Sequence, residues 1–119
     1  MHEMSLMAEL IQLVSEDAKQ RSFKKIDKIE VIVGSLSNVL PEALEIAFFY
    51  FQQQGEALID EKTQLQIIRE AAKAKCQKCL MEFEPDYQIA ICPKCGWTGC
   101  QLLEGETFRV ESYEGSDGT

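Results

Sequence analysis

Four of the five cysteines in this 119-residue chain fall in two Cys-x-x-Cys pairs, Cys76-Gln77-Lys78-Cys79 and Cys92-Pro93-Lys94-Cys95, with twelve residues between them. Two intervening residues let a tight turn aim both sulfurs at one point. Two such turns facing each other build a tetrahedral all-sulfur cage with Zn–S distances of about 2.3 Å. In the second pair Pro93 sets one backbone angle, and Gly96 has the freedom to turn backbone N–H groups onto the thiolates, so this pair is expected to form the better knuckle. Four thiolates close the shell and leave no position for water, which makes such a site structural rather than catalytic. Free thiols, a redox dithiol, an iron–sulfur cluster and rubredoxin-type iron remain open as readings of the same residues. A redox Cys-x-x-Cys, however, is normally single and follows a strand at a helix start. Cys100 reads as a spare thiol, and spacing alone also allows a register in which it replaces Cys95.

A second candidate site lies at the N-terminus. The sole histidine, His2, stands next to the α-amino group of Met1. That amine, the amide nitrogen of residue 2 and the imidazole can close two fused chelate rings, and such planar nitrogen donors suit Ni(II) or Cu(II). Aminopeptidases spare Met before a large residue, so Met1 is expected to present the amine. On residue type alone His2 also reads as an exposed or packing side chain with no metal role, and Glu3 as a favourable charge at a helix N-terminus.

These sites need elements to position them. Across residues 4–21 Met7, Leu10, Val14 and Ala18 recur at intervals of three and four, an amphipathic helix. Residues 25–33, KIDKIEVIV, alternate Ile29, Val31 and Val33 with exposed neighbours and predict a strand. The turn-forming residues 34–38 break it. Pro41 then opens a second helix with Leu44, Ala47, Phe48 and Phe51 on one face and Gly55 at its end. A second strand over residues 63–69 completes a βαβ unit with parallel strands and a right-handed crossover. A third, over 107–113, cannot complete its hydrogen bonds alone and must return to the first sheet. Between the cysteine pairs, Phe83, Tyr87 and Ile89 are expected to build a short hairpin, the body of a zinc ribbon that buries too little to fold without metal. The tail EGSDGT is expected to be disordered. The fold class is therefore α+β around an α/β-type unit: two helices on a small mixed three-stranded sheet, with an inserted zinc-ribbon module. The expected division is residues 1–71 with 101–119 as the α/β domain, and residues 72–100 as the ribbon.

Composition removes several classes of function. Twelve Lys plus Arg against twenty Asp plus Glu give a net charge of -8, the wrong sign for tracking a phosphate backbone or an anionic membrane. The ribbon, with its thiolates and one Zn2+ counted, is itself slightly negative, unlike a nucleic-acid reader. No apolar run approaches the roughly 20 residues of a membrane span, and the start MHEMSLMAEL lacks the marks of a signal peptide. A cytoplasmic location is expected, and a reducing compartment favours metal over disulfides. Without a second histidine or a phosphate-binding loop, and with the thiols committed, no catalytic or organic-cofactor residue is assigned and an enzyme is not expected.

Taken together, the start MHEMSLMAEL, the segment VGSLSNV, the cysteine pattern and the C-terminal strand closely resemble the HypA/HybF family of hydrogenase nickel-incorporation proteins. The resemblance implies a metallochaperone that carries Ni2+ to the precursor of the large subunit of [NiFe]-hydrogenase and works with a partner GTPase. By position it implies a nickel site of the Met1 amine, His2 and the Glu3 backbone amide, and a structural zinc site of Cys76, Cys79, Cys92 and Cys95. Leu40 and Pro41 stand where some relatives have polar or acidic residues, which leaves any further nickel ligand from this loop open. Nickel affinity should fall in acid as imidazole and amine protonate, and zinc status felt through hinges near residues 72 and 101 should alter the nickel geometry. The expected assembly is a monomer or a weak or exchanged dimer. The alternative is a zinc-ribbon adaptor for protein interaction that delivers no metal.

Overall fold

The computed structural model describes residues 2–55, 57–87 and 89–117. Helix α1 (His2–Gln20) starts two residues earlier than its apolar pattern requires and buries Met7, Leu10, Ile11, Val14 and Ala18. Strand β1 (Lys25–Gly34) follows, with Ile26, Ile29, Val31 and Val33 buried. Ile26 lies at odd spacing from Ile29, yet both face the core. The register of β1 against its antiparallel neighbour shifts between Ile26 and Lys28, and the extra residue there resets the alternation, as a β-bulge does. Helix α2 (Pro41–Gln54) begins on Pro41, where the missing N–H is harmless. It turns Leu44, Ala47 and Phe48 inward and ends at Gly55, whose φ of 65° is the left-handed cap a glycine adopts without strain.

Strand β2 (Gln64–Glu70) pairs parallel to β1, opposing Leu65 to Ile29. The last strand, β6 (Phe108–Ser116), closes the other edge antiparallel, giving the order β2-β1-β6. Both helices share one apolar cluster with the inward residues of β1. The expected disorder of the tail is corrected over residues 114–116. Here Ser116 pairs with Lys25 and Gly115 with Ile26, because β1 is ten residues long and its first half needs a partner on that edge. Tyr113 anchors the same strand by donating its hydroxyl hydrogen to the Asp17 carboxylate, which also accepts from Arg21 Nε at 2.8 Å. Residues 118–119 lie outside the described residues.

A separate sheet, in the order β4-β3-β5, carries the cysteine segment on β3 (Lys73–Lys75), β4 (Glu82–Phe83) and β5 (Gln101–Glu104). The expected hairpin body keeps Phe83 but not Tyr87 or Ile89. Pro85 has no N–H to extend the ladder, and both side chains end up exposed on the loop beyond it. The free edge of β3 is filled instead by β5, so Gln101, Leu102 and Glu104, beyond position 100, pair into this second sheet.

The two sheets lie end to end. The radius of gyration is 17.9 Å, with extents of 58 × 27 × 17 Å, whereas a compact chain of this length would have a radius near 13.5 Å. Between them the crossing is laced rather than loose. Gly34 N–H donates to Thr107 O at 2.7 Å, Ser35 N–H to Glu70 O at 3.0 Å and Leu36 N–H to Gly105 O at 2.7 Å. The Glu70 carboxylate accepts from Gly105 N–H at 2.8 Å. A Cβ on Gly34 would lie 2.1 Å from Gly105 O, so only glycine permits this approach. Among the described residues, no helix is long and apolar enough to cross a membrane.

Candidate metal centre

The ribbon brings together Cys76, Cys79, Cys92 and Cys95, whose sulfurs all lie within 4.8 Å of one another. Two of the edges measure 3.5 Å, Cys76 to Cys95, and 3.6 Å, Cys79 to Cys92. A ZnS4 tetrahedron with bonds of about 2.3 Å has edges of about 3.8 Å, so one small ion with four thiolate ligands fits. Four soft anionic donors in this geometry favour Zn2+ among the common biological ions.

Each knuckle is built the same way. Leu80 N–H donates to Cys76 O and Cys76 N–H to Met81 O, both at 2.9 Å; Gly96 N–H donates to Cys92 O and Cys92 N–H to Trp97 O, also at 2.9 Å. Amides turn onto sulfur as well, Cys79 N–H to Cys76 Sγ at 3.4 Å and Cys95 N–H to Cys92 Sγ at 3.5 Å. The two knuckles share one turn geometry, with Leu80 at φ 66° where Gly96 takes φ 74°, and the difference agrees with the second being the better formed. Both turns need the left-handed region, and only the first reaches it with a side chain that resists it. Lys78 Nζ sits 5.7 Å from the Trp97 ring centroid, linking one knuckle to the other.

The thiols are not equivalent. Burial opposes ionisation of Cys76, yet the amides of Cys79 and Lys78 and the neighbouring thiols draw it down to about 6. At Cys95 the Trp97 amide favours the thiolate, but burial and the sulfurs of Cys76 and Cys92 push it up to about 12. Charge on the neighbouring sulfurs thus holds Cys95 protonated, while the amides of Cys95 and Lys94 draw Cys92 down, and a divalent cation would favour the thiolate at Cys95 as well. Cys100 stands apart: its Sγ donates to Trp97 O at 3.4 Å, and the register that put it in place of Cys95 is not the one adopted.

At the other candidate site Met1 lies outside the described residues. His2 is exposed on the first turn of α1, where backbone N–H groups have no acceptor within the helix, and the Glu3 amide there turns onto its own carboxylate. No group of three or more His, Cys, Asp or Glu gathers around it among the described residues. Glu3 is buried, and its Oε2 accepts from Leu40 N–H at 3.1 Å, 37 positions away. Leu40 is the N-cap residue of α2 and has no capping side chain of its own. The carboxylate of Glu3 supplies that cap from another helix. The Leu40 amide, followed by Glu3's own amide and the charge of His2, keeps the Glu3 carboxyl below the usual carboxylate range. Glu3 was expected to serve the start of its own helix. An apolar residue just before Pro41, with no oxygen to cap the helix, was the sequence signal that an outside acceptor was required.

The displaced ribbon residues Tyr87, Ile89 and Ile91 face Leu36, Val39 and Leu40 across an open cleft of about 990 Å³ between the two units.

Residues 1–115 match the family model described as hydrogenase/urease nickel incorporation, metallochaperone, HypA. Hydrogenase maturation factor HypA of Moorella thermoacetica is 35% identical over 115 residues, covering 97% of this chain and 99% of that protein. HypA of Aquifex aeolicus is 34% identical over 114 residues and 96% of each chain. Among solved structures, the solution structure of the Ni metallochaperone HypA from Helicobacter pylori superposes with a TM-score of 0.64 at 27% identity, covering 96% of this chain and 97% of that one. A second HypA solution structure gives 0.68 at 28% identity over 98% of each.

Proposed function

The chain belongs to the HypA family of hydrogenase and urease nickel-incorporation metallochaperones, and from that membership we propose that it carries Ni2+ at its N-terminus and delivers it during maturation of [NiFe]-hydrogenase. The observation that carries this reading is the contrast at the start of α1. His2 is exposed with first-turn amides beside it, while Glu3 is buried and bonded to Leu40, so an open chelate is held on a fixed base. The Met1 amine, the amide nitrogens of the first residues and the His2 imidazole would supply planar nitrogen donors suited to Ni(II). Such a site leaves positions for a recipient's ligands to enter before the donor's ligands depart, which transfer requires. Cys76, Cys79, Cys92 and Cys95 hold a resident Zn2+ that shapes the ribbon and takes no part in delivery.

The division of labour is the one expected from the sequence, residues 1–71 with 101–119 as the cargo unit and 72–100 as the ribbon, with β5 (Gln101–Glu104) reaching across that boundary onto β3. The partners are a maturation GTPase and the hydrogenase large-subunit precursor, and the setting is the cytoplasm. The protein is a carrier rather than a catalyst. Contact between zinc status and nickel geometry has a path, from the joint at Gly105 through Leu36 and the loop to Leu40 and Glu3.

Metal analysis of the untagged chain before and after nickel loading tests this. One zinc and one nickel per chain are expected. His2→Ala, or one residue added before Met1, should abolish nickel binding and leave zinc content and the circular dichroism spectrum unchanged. Retained nickel in either variant refutes the site, and an unmodified chain that holds zinc but takes up no nickel leaves the adaptor reading in its place.

A further inference from the structure

The two knuckles present matched side chains to solvent. In each turn the N–H of the first cysteine is bonded to the carbonyl five positions on, Met81 in one and Trp97 in the other. The third position of each is a lysine, Lys78 or Lys94. Because all four sulfurs lie within 4.8 Å of one another, the turns stand side by side. Lys78 Nζ lies 5.7 Å from the Trp97 ring centroid, so the outer side chains of one turn reach those of the other. Leu80, Met81 and Trp97 are 64%, 37% and 45% exposed, an apolar group with no place in the core of the cargo unit.

Charge is segregated at the same tip. Residues 76–81 and 92–100 hold two of the chain's twelve basic residues and none of its twenty acidic ones. Near the base of the ribbon Lys73 is paired with Glu82 at 2.9 Å, whereas among the described residues neither Lys78 nor Lys94 is ion-paired with a carboxylate. The cysteine sulfurs are met by the backbone N–H groups of Lys78 and Lys94, which leaves the Lys78 ammonium over the Trp97 ring. On a chain of net charge -8, two unpaired cations beside an exposed tryptophan make a surface opposite in sign to the rest.

We propose that the ribbon tip docks a short acidic segment of a protein partner, its carboxylates on Lys78 and Lys94 and an apolar side chain set against Leu80, Met81 and Trp97. Complementarity of charge selects this occupant. A neutral apolar segment would leave both ammonium groups without a counter-charge. A nucleic acid or an anionic bilayer is less well matched, because two lysines neutralise two phosphates while twenty carboxylates elsewhere repel a polyanion. A segment with a few carboxylates meets the same lysines with little of that repulsion. Two exposed ion pairs and one apolar contact are weak, so the dissociation constant is on the order of 0.1–1 mM. The proposal does not depend on nickel.

Trp97 is the sole tryptophan, so its emission reports this surface directly. The test titrates the nickel-free, zinc-loaded full chain with the end-blocked peptide Asp-Glu-Leu-Phe-Glu-Asp in about 0.05 and 0.5 M salt, following Trp97 fluorescence and the amide chemical shifts of Lys78, Lys94 and Trp97. Both signals should saturate, with half-saturation several-fold higher in high salt. Lys78→Glu with Lys94→Glu should weaken binding about tenfold or more, with zinc content and circular dichroism unchanged. Lys19→Glu with Lys62→Glu, the same change in net charge away from the ribbon, should leave binding within about twofold. Replacing Leu-Phe in the peptide by Gly-Gly should weaken it several-fold. Absence of a saturable change in both signals overturns the proposal. So does equal weakening by the two pairs of substitutions, the result expected if net charge alone governs binding. Tighter binding of oligouridylate or of phosphatidylserine vesicles than of the peptide also overturns it, by assigning the tip to a polyanion.

Discussion

The four-cysteine ribbon and the start of α1, where we propose the cargo site, are built in opposite ways. In the ribbon, four sulfurs converge from two turns, the amides of Cys79 and Cys95 turn onto sulfur, and contacts spanning at most 19 positions complete the shell. At the N-terminus a single imidazole stands exposed, and the contact that fixes its base spans 37 positions. A closed shell built locally retains its ion. An open chelate held by a distant element can be positioned without being enclosed, which suits a cargo that must leave.

Removing zinc should break the comparison most severely. Chelation, or Cys76→Ser with Cys92→Ser, withdraws a binding energy of about 10–16 kcal/mol that such small folds depend on. The amides of β3, β4 and β5 should lose hydrogen-exchange protection while those of β1 and α1 keep theirs, because the sheets and cores are separate. Loss of protection throughout would show that the units fold as one.

Glu3→Ala should come next. It leaves Leu40 N–H without its carboxylate and should lower thermal stability by about 1 kcal/mol, the usual cost of a lost cap. Isothermal titration should show weaker nickel binding as well, since the first turn of α1 loses its anchor. Glu3→Gln keeps an acceptor oxygen and should fall between.

In the knuckles, Leu80→Gly should stabilise the zinc-loaded ribbon by about 1 kcal/mol by relieving a left-handed leucine that is largely exposed, and Gly96→Ala should destabilise it by a similar amount. Thermal melts of the two variants against the parent would show whether the knuckles are as alike as their hydrogen bonds.

The smallest effect concerns acid. The Gly105 amide, then Thr107, holds the Glu70 carboxyl below its ordinary range. A carboxyl lowered in the folded state adds stability that is present above its unfolded value, about 4.3, and lost as pH falls through the lower folded value. Urea titrations should therefore show Glu70→Gln less stable than the parent near neutrality, with the difference shrinking as pH falls below about 4.3 and vanishing once it passes the lower folded value. A constant difference across the range would mean the bond to Gly105 is indifferent to charge.

Much of the layout was legible because its causes are local. The i, i+3, i+4 stripes of both helices, Pro41 and Gly55 at the ends of α2, and the alternation in β1 are each decided within a few residues. The four-sulfur site was legible for the same reason, since two residues between cysteines already dictate a turn. The length of β6 was not, because residues 114–116 are too polar and glycine-rich to signal a strand and pair only because β1 extends past them. Nor were the exposure of Tyr87 and Ile89 or the pairing of β5, which depend on which edge of β3 remained open.

What the chain order settled alone is which residues can gather one ion: four thiols at turn spacing. Backbone geometry over two or three bonds is enough for that. The role of Glu3 belonged to the tertiary structure, because an amide at the start of α2 needs an acceptor and local sequence supplies none. Packing α1 beside α2 brought a carboxylate within 3.1 Å, and a hydrogen bond between residues 37 apart exists only once the core has placed both helices.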